Sequence, residues 1–267
     1  MQNSLMKEKV AVVIPTYKEK LSEYERVSLK QCTKILGQYD IYLIGASKFN
    51  HFESYREVCN VDLRIEKFND TFFNDIQGYN QLMMSEELYQ RFSRYKYILI
   101  YQLDCYVFRD ELNYWCDKNY DYIGAPWIDA NVYAWLYIRK YPILFRYYHK
   151  IMFRGKTLSS VGNGGLSLRK VSTMLLFSKL LKKTIVNFRG NEDSFFCHFV
   201  KTLYPFFKIP KASEALKFSF DVYPDKCFEL NGDQLPFGCH AWCRNDDVYG
   251  DNLSFWENHI PEIKQYN

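Results

Sequence analysis

YKYILIYQLDCYVF, residues Tyr95 to Phe108, carries the reading from which the fold follows. Ile98, Leu99, Ile100 and Tyr101 form an unbroken apolar, β-favouring run with no period-two alternation. Such a run suits a central parallel strand covered on both faces, because neither side of it has to meet water. Gln102, Leu103 and Asp104 follow, and apolar residues resume at Val107 and Phe108. A carboxylate at the end of a buried strand is costly unless hydrogen bonds or a cation compensate it. Asp104 therefore marks a candidate site. The plainer alternative is that it caps the turn after the strand.

Upstream the pattern repeats. Lys9 to Ile14 is a β-branched run stopped by Pro15, and Ser22 to Leu36 has helical spacing, closed by Gly37. Asp40 to Ile44 is a second strand, His51 to Val58 a short helix, and Val61 to Phe68 holds a third strand. Thr71 to Phe92 reads as one longer helix before the strand at Tyr97 to Tyr101. Strands alternating with helices predict an α/β fold with a mostly parallel central sheet flanked by helices. Ligands of such sheets bind at the carboxyl ends of the strands, which is where Asp104 lies. Downstream, Asp121 to Ala125 is a strand, and glycine-rich Val161 to Arg169 leads into a helix over Lys170 to Leu181. A further helix with an acidic first turn begins at Asn191. With no internal repeat or linker, one domain with an elaborated C-terminal half is expected.

Composition narrows the function classes. In 267 residues, 48% are hydrophobic and 25% charged, which supports a real core and argues against disorder. The net charge of +4 is too small to argue for nucleic acid. No apolar run has the length that spans a bilayer, and the first residues lack the apolar stretch of a secretory signal, so a cytoplasmic protein is expected. The eight cysteines then read as reduced thiols. Cys239, His240 and Cys243 cluster, but a structural zinc needs about four ligands and no second cysteine pair supplies the rest.

Five stretches carry candidate chemistry. Pro15, Thr16 and Tyr17 follow the first strand, where Tyr17 would line or stack on a nucleotide base, or simply sit at the surface. Neither GxGxxG nor GxxxxGK[ST] occurs, so dinucleotide and P-loop phosphate binding are not signalled. Gln102, Leu103 and Asp104 would place a carboxylate where a hard divalent cation could bridge phosphates. Gly162, Asn163, Gly164 and Gly165 let the backbone approach a ligand or take positive φ, or form a tight hairpin or bulge. Asn191, Glu192 and Asp193 are a helix cap with favourable first-turn acids, or they include a general base. Because adjacent helical residues point apart, Glu192 and Asp193 would differ in role. His240 is a structural histidine or a neutral imidazole metal ligand.

Taken in order, VAVVIPTYK, FFNDIQGYNQLM, YILIYQLDCYVF, DYIGAPW, VGNGGLSLRK, NEDSFF and PFGCHAW make the chain resemble GT-A type glycosyltransferases, of a little-characterised bacterial family of sugar transferases, with motif similarity to inverting β-galactosyltransferases. The resemblance spans almost the whole chain. It implies a GT-A-like (Rossmann-like) fold whose first half, to about residue 125, binds the nucleotide and whose second half binds the acceptor and carries catalysis. It implies that Gln102-Leu103-Asp104 matches the DxD motif, a register anchored by Asp110, with Asp104 in the metal-binding position and Gln102 replacing the first acid. Asn163, Gly164 and Gly165 would lie beside the donor sugar, Asp193 would be the base, Glu192 would orient acceptor or sugar, and His240 would complete an Mn²⁺ or Mg²⁺ site with Asp104. The implied reaction is inverting transfer from a nucleotide sugar, UDP by family habit, to a saccharide hydroxyl in bacterial surface polysaccharide or glycan synthesis. A catalytically weak sugar-nucleotide binder and a nucleotidyltransferase are the alternatives; the latter would prefer glycines after the first strand, which IPTYKEK lacks.

The stretch 131–156 is aromatic and basic, with Arg139, Lys140, Arg146, Lys150, Arg154 and Lys156 and no acid. Aromatic residues with a polar handle favour a membrane interface and basic ones favour anionic headgroups. It is expected either to dock the enzyme on the cytoplasmic leaflet, near a lipid-linked acceptor, or to pack into the core.

Overall fold

The computed structural model describes residues 9–128, 158–246 and 250–265. In chain order the strands are β1 (Val10–Pro15), β2 (Asp40–Ala46), β3 (Leu63–Phe68), β4 (Tyr97–Tyr101), β5 (Tyr106–Val107), β6 (Tyr122–Ile123), β7 (Pro126–Ile128), β8 (Leu158–Val161), β9 (Leu166–Lys170), β10 (Ser219–Phe220), β11 (Gly238–Cys239), β12 (Asn245–Asp246) and β13 (Gly250–Asp251). A six-stranded sheet runs β3-β2-β1-β4-β9-β6. Its β3, β2, β1 and β4 are parallel, whereas β9 is antiparallel to both β4 and β6. The expected α/β sheet, mostly parallel and flanked by helices, is therefore present. A smaller sheet, β10-β11-β5, extends from beyond the end of β4, and β7 pairs with β8.

Burial explains the unbroken apolar runs. Val10, Val12 and Ile14 join Tyr97, Leu99 and Tyr101 in a core beneath one face. That core takes in Leu29, Cys32 and Leu36 of helix α1 (Glu23–Leu36). Ala11, Val13, Ile98 and Ile100 point the other way, into a second core. Successive residues of a strand face opposite sides, so a strand buried on both must be apolar throughout.

Local side-chain caps set the helix limits. Ser22 and Glu25 exchange reciprocal hydrogen bonds at the start of α1 (Ser22 N to Glu25 Oε2, 2.8 Å; Glu25 N to Ser22 Oγ, 3.3 Å), a capping box. The helix expected over His51 to Val58 shortens to α2 (Glu53–Arg56). The single helix expected over Thr71 to Phe92 is instead a 3₁₀ turn at Asp70–Phe73 followed by α3 (Ile76–Met83) and α4 (Glu86–Arg91). Two internal residues restart it: Asp75 Oδ1 accepts from Gly78 N at 2.7 Å and Ser85 Oγ from Leu88 N at 3.1 Å. Short polar side chains compete for backbone N–H groups in this way, which makes them helix starters. Further on come α5 (Leu112–Asp117), α6 (Val171–Leu180) and α7 (Lys182–Asn187). The next helix, α8, opens as Glu192–Ser194, runs π-helically over Phe195–Val200 and closes as Lys201–Leu203, and shorter helices follow at Ala212–Phe218, Pro224–Leu230 and Asn252–Trp256.

β9 brings a fully buried arginine into the sheet. Arg169 Nη2 lies 2.7 Å from Glu192 Oε1, with side-chain exposures of 0% and 3%. Its Nε donates to Ser167 Oγ (3.0 Å), its Nη1 to Tyr89 Oη (3.2 Å), and its guanidinium lies 5.2 Å from the Tyr122 ring centroid. The pair thus ties β9 to α4, β6 and the start of α8. Removing one member of a buried ion pair strands the other charge. Arg169→Met should lower unfolding free energy by about 3–5 kcal/mol, while adding Glu192→Leu should recover most of that loss. Urea unfolding of both variants checks this; equal destabilisation of the single and double variants would show that the charge of Glu192 is not what matters.

Candidate active site

The strand end is built by backbone hydrogen bonds before any side chain acts. Gln102 N donates to Gly165 O (2.9 Å) and Cys105 N to Gln102 O (2.9 Å), so β4 ends in a turn held against the glycine loop. Asp104, on that turn, lies with Oδ1 3.2 Å from His240 Nε2 and Oδ2 3.7 Å from Arg244 Nε. Gln102 Oε1 is also 3.2 Å from His240 Nε2, while Gln102 Nε2 donates to Tyr79 Oη at 2.9 Å. On the other side of the ring, His240 Nδ1 is 2.9 Å from Asp221 Oδ1. Burial pushes the imidazole down, but Asp104 and Asp221 outweigh it and raise His240 to about 10. Burial likewise pushes Asp104 up, and His240 and Arg244 outweigh it, leaving its carboxyl below the usual range.

Three atoms that can each offer a lone pair therefore converge: Asp104 Oδ1, Gln102 Oε1 and His240 Nε2. One proton on Nε2 has to be shared between two oxygens. A divalent cation would instead take all three as ligands, two oxygens and one imidazole nitrogen, a set that suits Mn²⁺ or Mg²⁺. With Nδ1 facing Asp221, Nε2 is the nitrogen that would ligate, the carboxylate–histidine arrangement common around metals. Among the described residues no three His, Cys, Asp or Glu side chains form a metal cluster, and the third donor here is an amide oxygen. Gln102 can therefore contribute to a cation site even though it cannot supply the missing acid's charge.

The histidine is held tightly. Ala241, directly after it, has φ 53°, a left-handed conformation unusual for a residue with a Cβ. Buried Asn252 donates through Nδ2 to Asp221 O (2.8 Å) and Ala241 O (3.1 Å), tying both flanks of the ring together. The glycine loop presses on the same ring. A Cβ on Gly165 would sit 2.1 Å from His240 Nε2, and one on Gly164 would sit 1.8 Å from Glu192 Oε1. Both glycines are thus required by contact. The left-handed position falls instead on Asn163 (φ 62°), whose Oδ1 accepts from Gly165 N at 2.9 Å.

The two acids of α8 have separate surroundings. Glu192 belongs to Arg169, and its N–H donates to Asn80 Oδ1 at 3.0 Å. Asp193 is 8% exposed, with Oδ2 accepting from Asn163 N (2.9 Å) and Oδ1 from Ser194 N (2.6 Å). Burial, then the neighbouring Glu192 charge, push its carboxyl up to about 7. A carboxyl in that range exchanges protons readily at neutral pH, which is what a general base requires.

Beside the strand end opens a cleft of about 590 Å³. Pro15, Tyr17, Gln102, Leu103 and Asp104 line it, together with Tyr24, Phe72, Phe73, Tyr79 and Arg244. Tyr17 is 66% exposed there. Thr16 is not part of the lining: it is buried and its hydroxyl donates to Ile44 O at 2.9 Å. Asn163, Gly164, Gly165, Glu192, Asp193 and His240 also lie outside the lining; Gly165 abuts His240, which in turn meets Asp104 and Gln102 of the lining. Glu192, placed by resemblance toward acceptor or sugar, is buried and paired with Arg169. Asp110 accepts from Tyr39 Oη (3.0 Å) and Leu112 N (3.2 Å), so it steadies the start of α5. Sequence reasoning missed Asp221 and Arg169. Asp221 follows the buried stretch Phe218-Ser219-Phe220, a weaker form of the signal that singled out Asp104 because Ser219 interrupts it. The stretch 131–156 lies outside the described residues.

Comparison with solved structures gives the fold. Mouse xyloside xylosyltransferase 1 in its apo form matches with a TM-score of 0.53 at 10% identity, over 88% of this chain and 97% of that one. The bifunctional glycosyltransferase WbbM, apo, matches with a TM-score of 0.52 at 14% identity, over 95% of this chain, which spans only 51% of WbbM. The galactosyltransferase LgtC, in complex with donor and acceptor sugar analogs, matches with a TM-score of 0.50 at 11% identity, over 92% and 94%. The fold is that of GT-A glycosyltransferases. No curated protein sequence matches the chain. The sequence model of a family described as protein of unknown function (DUF5672) matches residues 62–240, from β3 through the glycine loop and α8 to His240. That match takes in well over half of the chain, and the chain belongs to this family.

Proposed function

We propose that the protein is a glycosyltransferase that moves a sugar from a nucleoside-diphosphate donor to a hydroxyl of a saccharide acceptor, with inversion at the anomeric carbon. The observation that carries this reading is the convergence of Asp104, Gln102 and His240 at the end of β4, at the edge of an aromatic cleft. The aromatic lining, with Tyr17 and Tyr79, suits a nucleoside base, and Arg244 beside Asp104 suits phosphate charge. Asp104, Gln102 and His240 would hold Mn²⁺ or Mg²⁺, which when bound neutralises charge developing on the departing diphosphate. Asp193 takes the proton of the acceptor hydroxyl. The acceptor oxygen then bonds to the anomeric carbon as its bond to the diphosphate oxygen breaks and the nucleoside diphosphate leaves. The two backbone N–H groups on Asp193 fix its direction. Glu192, Arg169 and the glycine loop position it. LgtC, of the same fold, is described with donor and acceptor sugar analogs, which supports sugar transfer. A UDP donor, a saccharide of the bacterial surface, presented on a lipid carrier, and action at the inner face of the membrane complete the proposal.

The direct test is nucleotide release from UDP-, GDP-, CMP- and dTDP-sugars with mixed acceptors and Mn²⁺ or Mg²⁺. Binding without turnover would make the protein a sugar-nucleotide binder, and release of pyrophosphate would make it a nucleotidyltransferase. Asp104→Ala should abolish metal-dependent nucleotide binding; full activity in excess EDTA would end the metal assignment. Asp221→Asn, which leaves every proposed ligand in place, should weaken Mn²⁺ affinity by about 10–100-fold in a direct titration, the usual weight of a partner to a ligating histidine.

Asp193→Asn should reduce turnover by roughly two to four orders of magnitude, with nucleotide affinity unchanged. The base works deprotonated, so a carboxyl raised to about 7 makes kcat/KM climb with pH through that value. A flat wild-type profile from pH 6 to 8, or a product of retained configuration, would remove Asp193 from this role.

A further inference from the structure

We propose that a second surface, formed by α6, α7 and the turn at 203–206, docks on an anionic lipid bilayer. Sugar-transfer chemistry plays no part in the argument. Soluble surfaces seldom expose several large apolar side chains together, and where they do the surface usually meets a partner. Leu176 and Leu180 stand one turn apart on α6 and are 57% and 59% exposed. Leu203, at the end of α8, is 52% exposed, and Phe206 in the following turn is 93% exposed. The two segments that carry them pack together: Phe177 of α6 has its ring centroid 4.8 Å from Tyr204 and 5.6 Å from Phe207.

Charge selects the occupant. Residues 170–213 hold eight basic side chains and two acids, and both acids, Glu192 and Asp193, are buried. Lys182, Lys183 and Lys208 are exposed beside the apolar residues, and among the described residues none of their ammonium groups forms an ion pair, although the main-chain N–H of Lys208 donates to Asp121 Oδ2 at 2.7 Å. Apolar side chains that can enter the acyl boundary, ringed by lysines that can meet phosphate headgroups, match an anionic bilayer. The cleft shares an element with this face. Ile76 and Tyr79 of α3 line the cleft, while Gln77 and Gln81 of the same helix donate to the carbonyls of Phe188 and Ile185 at the end of α7. Docking through α6 and α7 would thus hold the cleft close to the membrane.

Co-sedimentation of the full chain with phosphatidylcholine vesicles, with and without phosphatidylglycerol, tests this at low and physiological salt. Wild type should pellet with the anionic vesicles and bind the neutral ones far less. Lys182→Gln with Lys183→Gln should weaken that binding roughly 10–30-fold at low salt, since each lysine near such a surface counts for about fivefold. Leu180→Ser with Phe206→Ser should abolish the binding that survives at physiological salt. All four positions are exposed, so the variants should keep the wild-type circular dichroism and melting temperature. Wild type remaining in the supernatant at low salt, or all variants pelleting like wild type, overturns the proposal; the latter would place the contact elsewhere. A wild-type dimer that Phe206→Ser converts to monomer would likewise overturn it, by assigning this face to a second copy of the chain.

Discussion

The ion pair between Arg169 and Glu192 is the constraint on which the candidate site depends. A guanidinium with no exposed surface must have every donor directed at something, and here Glu192, Ser167 and Tyr89 take its donors while Tyr122 faces its charge. That requirement fixes β9, α4, β6 and the first turn of α8 relative to one another. It also gives two adjacent acids different surroundings. Glu192 is paired with the arginine, and burial, then the Glu192 charge, raise the neighbouring Asp193. Buried ion pairs contribute little net stability compared with apolar packing, since desolvation offsets most of their attraction. What this one contributes is position and electrostatics.

The glycine loop transmits that position to the cleft. Gly164 abuts Glu192 and Gly165 abuts His240, with no room at either for a Cβ. Gly165 O also accepts from Gln102 N, so loop, strand end and histidine form one contact chain. His240 is bracketed by Asp104 and Asp221, and Asn252 bridges the backbone on either side. A histidine between two carboxylates stays protonated when nothing else occupies the space, and becomes a ligand when a cation displaces that proton.

Side chains away from the cleft follow a different logic. The lysines of α7 and the apolar side chains of α6 and the 203–206 turn do not stabilise the fold by their contacts, since they are exposed. They lie on elements whose opposite faces are needed: Met174 and Phe177 fill the second core, and the carbonyls of Ile185 and Phe188 receive α3. Rigid attachment on one side leaves the other side available for an interaction surface.

The sequence by itself determined the parallel part of the central sheet, because strands buried on both faces must be apolar without interruption, and β1 and β4 are; the antiparallel insertion of β9 between β4 and β6 came only with the structure. It also singled out Asp104, Asp193 and His240, since a polar group set among apolar residues is conspicuous in a linear reading. It did not determine where Thr71 to Phe92 breaks, although the caps Asp75 and Ser85 were legible there; helical periodicity masked them. Only the tertiary structure decided the partners. Arg169 meets Glu192 across 23 positions, and His240 meets Asp221 across 19 and Gln102 across 138. Spacing along a chain carries no information about which distant side chains a folded sheet will bring together. The roles of Glu192, Asp221 and the two glycines follow from those meetings, because charge pairing and steric contact act through space.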